Sequence, residues 1–168
     1  MKKNKGYSIV EMLVTLAVLA LFVTFTISMG RSATQRASFT AAFNQFVADF
    51  YFARQLAAKE NKYVAMVFDP LGRSYSIRVQ TELDADLTDF RSYYDFKKVT
   101  PLDGIEFFEG ATDFAFNSTG VVRAYPVNLD LDPISVSILF FKKHAATGKM
   151  DFKKSVFIYP SGGIKIEK

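Results

Sequence analysis

A chain of 168 residues has room for one globular domain plus one further segment, and 49% hydrophobic residues are enough for a core. It contains no cysteine, which excludes a disulfide framework, a thiolate zinc site and an iron–sulfur cluster. The formal charge is +4, but Lys2, Lys3 and Lys5 all precede Gly6. Without them eighteen bases face seventeen acids, too even a balance for net charge to drive nucleic-acid binding.

The first thirty residues place a basic start, a glycine, one glutamate and then nineteen uncharged residues, Met12 to Gly30, in succession. As a helix those nineteen extend about 28 Å, close to the apolar thickness of a bilayer. One membrane crossing is predicted, and the lysines before it keep the amino terminus cytoplasmic and send the rest across. Glu11 stands at the mouth of this segment, where an unpaired charge is costly and calls for a partner. A secretory signal peptide shares the basic start. Its apolar region is shorter, however, and ends in small residues with no acid at its entrance, whereas here the run continues through Phe22, Phe25 and Met29.

Lys5-Gly6 followed by Tyr7-Ser8-Ile9-Val10-Glu11-Met12-Leu13 resembles the class III leader of type IV prepilins and pseudopilins. The resemblance implies that a membrane-embedded prepilin peptidase cuts after Gly6 and methylates the new amino group of Tyr7. Glu11 then matches the family's glutamate at the fifth mature position. There it neutralises the terminal amine of a neighbouring subunit, which supplies the missing partner. Two departures are Tyr7 in place of the usual Phe or Met, a tolerable aromatic exchange, and the absence of a helix-kinking proline, which leans toward a minor pilin or pseudopilin. The implied partners are the peptidase, other pilins or pseudopilins and an inner-membrane assembly platform. The implied location is a single-pass inner-membrane protein with its carboxy-terminal head in the periplasm, later drawn into a pilus or pseudopilus fibre.

After Arg31, Phe39, Phe43, Phe46, Phe50, Ala53 and Ala57 recur at three- and four-residue intervals up to about Lys59, and no Gly or Pro interrupts Arg31 to Glu60. The spacing predicts that the membrane helix continues, giving about fifty helical residues or ~75 Å. The phenylalanine stripe could serve a partner, but such stripes normally face the protein's own core. From Tyr63 onward the pattern becomes short β-rich runs. Tyr63 to Phe68 and Ser74 to Gln80 flank the turn residues Asp69-Pro70-Leu71-Gly72 and predict a hairpin. Further strands are predicted at Gly104 to Phe108, Asp113 to Phe116, Val121 to Tyr125, Ile134 to Phe141, Phe152 to Tyr159 and Ile164 to Glu167. Turns fall at Asn117 to Gly120 and Ser161 to Gly163. Leu83 to Lys98 is polar and reads as a variable loop with at most one strand.

Phe52-Ala53-Arg54-Gln55-Leu56-Ala57-Ala58 before a strand is similar to the helix end of H-type pseudopilins and FimT/FimU-type minor pilins, the GspH/FimT family. Phe114 to Gly120 and Val156 to Ile164 are similar to its later strand-and-turn blocks. The resemblance implies the type IV pilin fold, an α+β arrangement in which a long amino-terminal helix packs on an antiparallel β head. The domains expected are a leader (1–6), a transmembrane or fibre-core helix (7–30), its amphipathic continuation (31–60) and the head (61–168). Taken alone, Arg54 reads as a solvated cation at the favourable end of the helix dipole.

Chemistry in the head is not indicated. The single histidine, His144, lies in a polar connection, and no cysteine or second histidine completes a nucleophile–base pair. Asp84, Asp86 and Asp89 lack the glycine and closing glutamate of a calcium loop. The chain reads as a non-enzyme without metal or cofactor. Its charge is polarised: residues 81–113 hold nine acids against three bases, and 142–168 hold seven lysines against two acids. Opposed fields of this kind register neighbouring subunits. An alternative is a DNA-uptake minor pilin in which Lys142, Lys143, Lys149, Lys153 and Lys154 form a DNA patch, helped by Lys165 and Lys168. A third class, an uncleaved signal-anchored periplasmic binding protein, requires Gly6 to stay uncut.

Overall fold

The structure is a computed structural model that describes residues 8–69, 73–82, 87–99, 106–107, 112–127, 129, 132–143 and 150–167. It describes the backbone alone at 25–32, 90, 106–107, 142–143 and 150–151. One helix, α1, occupies Ile9–Glu60. Among the described residues nine strands follow: β1 Val64–Asp69, β2 Ser74–Gln80, β3 Tyr93–Val99, β4 Glu106–Phe107, β5 Phe114–Phe116, β6 Val122–Ala124, β7 Val136–Lys143, β8 Met150–Ile158 and β9 Ile164–Glu167. The chain divides into two compact units, Met1–Ala37 and Ser38–Lys168.

In the first unit α1 opens on Ser8, whose Oγ accepts from Val10 N at 3.4 Å while its carbonyl accepts the first helical bond from Met12 N. Such a cap satisfies an amide that would otherwise be orphaned at the helix start. Thr15 Oγ1 donates back to the carbonyls of Glu11 and Met12, and Thr24 Oγ1 donates to Ala20 O. The hydroxyls in the apolar stretch are therefore satisfied by their own helix, as an apolar medium requires.

In the second unit α1 carries the stripe Phe39, Phe43, Phe46, Phe50, Ala53, Leu56 and Ala57, all buried. Four phenylalanines on the sequence-predicted spacing face the core. The helix ends where Asn61 takes a left-handed φ of 52° and Lys62 N donates to Ala57 O, closing the last turn with Lys59 near the negative dipole end.

The strands form two antiparallel sheets, one ordered β3-β2-β1-β5-β6 and the other β4-β7-β8-β9. β1 and β2 pair from Val64↔Val79 to Asp69↔Ser74. The predicted hairpin therefore forms, while its turn residues 70–72 lie outside the described residues. Val64, Met66 and Phe68 of β1, Tyr75, Ile77 and Val79 of β2, and Phe114 and Phe116 of β5 meet the helix stripe; from the second sheet Ile138, Phe140, Val156 and Ile158 join the same core. Phe46 touches Phe68, Tyr75 and Phe140, with the Phe140 ring centroid 4.7 Å away. One helix thus fills the space against both sheets, and the ring pairs add to the area they bury.

The opposite face of the first sheet is covered as well. Ala65 and Ala115 are direct cross-strand partners, and beside them Tyr93, Tyr125 and Val127 form a second buried cluster. Tyr93 and Tyr125 meet edge to face at 4.9 Å. Burial pushes the Tyr93 hydroxyl upward, with Tyr125 and Tyr63 adding to it.

Asp113 accepts from Phe68 N at 2.8 Å and fastens the end of β1. Burial raises its carboxyl above the ordinary range, opposed by the Phe68 amide and by Arg78. A raised folded pKa means that Asp113 contributes stability at low pH which is lost as pH rises through its folded value. Asp113→Asn keeps an acceptor for Phe68 N without the charge. Its melting temperature is therefore expected to gain on the parent as pH rises above about 4, the ordinary Asp value. Thermal scans of both proteins across that range check this.

The structure has the one strand that the sequence reading allowed between Leu83 and Lys98. Within Leu83 to Lys98 it has a 3-10 turn, Phe90–Ser92, capped by Asp89 Oδ1 accepting from Arg91 N, followed by the full strand β3. β3 is an edge strand with exposed Tyr94, Asp95 and Phe96, so its composition looks like a loop's.

Candidate assembly site

Glu11 lies in the first turn of α1, where a negative charge is favoured by the helix dipole. No hydrogen bond or ion pair engages its carboxylate among the described residues. Around it the helix is apolar on every side. Leu13, Val14, Leu16, Leu19, Leu21 and Phe22 are each 58–68% exposed, though successive positions point about 100° apart. A helix of this kind needs lipid or other chains around it. Among the described residues no helix is long and apolar enough to cross a membrane; the described side chains of this stretch stop at Thr24, inside the predicted span Met12 to Gly30. Gly6 and Tyr7 lie outside the described residues.

On the head, a carboxylate the sequence did not single out holds α1 to the first sheet. Asp49 is 3% exposed. Its Oδ2 accepts from Tyr75 Oη at 2.7 Å, and its Oδ1 accepts from Lys97 Nζ at 2.6 Å and Gln45 Nε2 at 3.1 Å. Burial, then the hydrogen bond to Asp49, raises the Tyr75 hydroxyl, which stays protonated as the donor. Asp49→Ala leaves that hydroxyl buried without its acceptor and strands the half-exposed Lys97. It is expected to lower head stability by about 2 kcal/mol, with little of this from the ion pair itself. Urea denaturation of residues 38–168, which contain every buried core residue, measures it. The neighbouring pair Arg78 Nε to Asp95 Oδ1, at 2.6 Å, ties β2 to β3 at the surface.

Arg54 is not the solvated cation its position suggested. It is half-buried, and two glycine turns close on it, one joining β5 to β6 and the other β8 to β9. A Cβ at Gly120 would lie 2.6 Å from Arg54 Nε, and one at Gly162 would lie 3.1 Å from it. Both glycines hold positive φ, 80° and 76°. Asn117 shapes the first turn, its Oδ1 accepting from Thr119 N, Thr119 Oγ1 and Val121 N. The two turns are laced together, since Val122 N donates to Pro160 O at 2.9 Å.

Among the described lysines of the carboxy-terminal region, Lys153 and Lys154 do not share one surface. Strand alternation puts Lys153 and Lys154 on opposite faces of β8. Lys153 is exposed and pairs across the ladder with Phe141. Lys154 instead faces α1, with Nζ 4.3 Å from the centre of the Phe43 ring, a cation–π contact. Lys165 is paired with Glu167 at 2.7 Å. The side chains of Lys142 and Lys143, and all of His144, Lys149 and Lys168, lie outside the described residues, as do Asp84 and Asp86. Among the described residues no cluster of His, Cys, Asp or Glu could hold a metal ion.

Residues 1–27 match the prokaryotic N-terminal methylation motif. No curated protein sequence matches the chain. The fold is similar to that of the type IV minor pilin FimU of Pseudomonas aeruginosa, with a TM-score of 0.56 and 16% identity over 80% of this chain and 92% of that one. It is also similar to EpsH, the minor pseudopilin of the Type 2 Secretion System of Vibrio cholerae, with a TM-score of 0.53 and 13% identity over 76% and 94% of the two chains. The fold is the type IV pilin fold. Combined with the methylation motif, it defines a structural subunit of a pilus or pseudopilus rather than an enzyme. The motif implies a membrane anchor, processing by a prepilin peptidase and assembly with other pilins.

Proposed function

We propose that this chain is a minor pilin or pseudopilin, made as a single-pass inner-membrane protein with its head in the periplasm. It is cut after Gly6, methylated on Tyr7 and lifted by the inner-membrane assembly platform into a helical fibre. The observation that carries this reading is the all-round apolar exposure of Ile9 to Val23 within a methylation motif. Such a surface is stable in a bilayer and equally stable in the centre of a bundle of like helices, so transfer between the two costs little hydrophobic energy. Glu11 supplies the specificity, since in an apolar fibre core it is satisfied only by the terminal amine of a neighbour at the same depth. The placement of Lys153 and Lys154 on opposite faces of β8 does not favour DNA binding as the main role.

A deletion strain, compared with its complemented parent for surface filaments and secreted proteins, tests the assignment. Lost filaments with normal secretion make the chain a pilus component. Retained filaments with proteins trapped in the periplasm make it a secretion pseudopilin, and a strain normal in both respects contradicts the proposal.

A further inference from the structure

Beside Arg54 the head surface opens into a cleft of about 260 Å³, lined by Tyr51, Gln55 and Ala58 from α1 and by Ser118, Thr119 and Gly120 from the β5–β6 turn. The two glycine turns lie close against the Nε edge of the guanidinium. No carboxylate or carbonyl is bonded to it among the described residues, although a half-buried guanidinium carries five donors. The hydroxyl of Ser118 is likewise uncommitted, whereas that of Thr119 is spent on Asn117. A half-buried planar cation, a free hydroxyl and an aromatic wall are thus assembled around a space that accepts one small oxyanion.

We infer that this cleft is a carboxylate-binding site, filled in the assembled state by an Asp or Glu side chain of the neighbouring fibre subunit. The inference rests on the subunit reading for the source of the carboxylate, not for the site itself. A carboxylate fits the guanidinium in two parallel hydrogen bonds and leaves an oxygen lone pair for the Ser118 hydroxyl. A nucleic-acid backbone is the poorer occupant, because it presents a row of phosphates and needs several cations, and among the described residues Arg54 is the only base lining the cleft. Charge complementarity names the kind of donor. The head of this chain carries an acid-rich segment, nine acids against three bases over residues 81–113, in which Glu82 and Asp89 are exposed, so a second copy brings such a segment with it. Packed heads can therefore offer a carboxylate to the cleft.

The test uses the full-length chain in detergent with 15N-labelled arginine. The Arg54 Nε–H signal, identified by its loss in Arg54→Lys, is followed on adding sodium acetate, with sodium chloride at equal ionic strength as the control. The site predicts a saturable shift with acetate alone. It further predicts that Ser118→Glu, which places a carboxylate in the cleft, displaces the signal beforehand and abolishes the response. No response to acetate overturns the site, and a tighter response to inorganic phosphate overturns the carboxylate in favour of a phosphate ligand. In cells, Ser118→Glu is expected to lower recovery in sheared fibres about tenfold or more, as loss of one charge-assisted contact does, with unchanged membrane level and melting temperature. Undiminished recovery would contradict the neighbour as the source. A parent chain that never enters fibres would refute the subunit reading alone, and the acetate titration would still decide the site.

Discussion

Glu11→Ala is expected to reach the membrane at the parent level and to be nearly absent from fibres. Insertion depends on the apolar run, which loses nothing when a carboxylate at its mouth becomes a methyl group. Assembly depends on pairing that carboxylate with the amine of the next subunit. Removing one partner of an ion pair in apolar surroundings leaves the other charge uncompensated, at a cost of about 3–5 kcal/mol. Against that cost the variant should enter fibres roughly a hundredfold to several thousandfold less often than the parent. Quantifying membrane and sheared-fibre fractions in a strain producing parent or variant separates the two steps. Equal recovery in fibres would show that Glu11 is not the pairing group. Loss from the membrane as well would show that it acts in insertion instead.

The second large effect is on the fold. Gly162→Ala is expected to destabilise the head by about 4 kcal/mol. At a φ of 76° an L side chain is strained in itself, and the added Cβ would fall well inside van der Waals contact of the Gly120 carbonyl oxygen. That oxygen is backbone, fixed within a turn that Asn117 holds with three hydrogen bonds, so it cannot swing aside. The bonds Gly162 N to Tyr159 O and Tyr159 N to Gly163 O, both 2.8 Å, would have to open to relieve the clash. Gly120→Ala shares the strained φ but meets chiefly the Arg54 side chain, whose far end can move. It should cost less, about 1–2 kcal/mol. Urea denaturation of residues 38–168 ranks the two variants, and a smaller cost at Gly162 than at Gly120 would overturn the steric account.

The comparison of these turns with the helix shows where the sequence is legible. The phenylalanine stripe and the β1–β2 hairpin are local patterns, each carried by spacing or by turn residues within a few positions, and the structure follows them. The glycine turns were also readable as turns. What they are for was not, because Arg54, Gly120 and Gly162 are brought together only when two sheets meet one helix. Asp49 was hidden for the same reason. On a helical wheel it passes for a surface acid, and its three donors come from one turn earlier in the helix, from β2 and from β3. The strand β3 is legible only as one strand within a loop-like stretch, because edge strands expose the charged residues by which loops are recognised. The lysines show the converse limit. Lys153 and Lys154 are adjacent in sequence and look like one basic surface, but period-two alternation sends one outward and the other over the Phe43 ring.

The central claim, that the chain is a processed fibre subunit, is tested most directly on protein recovered from fibres. Mass spectrometry of the amino-terminal peptide of the chain in sheared filaments or purified pseudopili is predicted to begin at Tyr7 with one methyl group on its amine. Recovery only from membranes, with Lys2 to Lys5 still attached, would contradict the account and return the chain to the class of uncleaved signal-anchored periplasmic binding proteins.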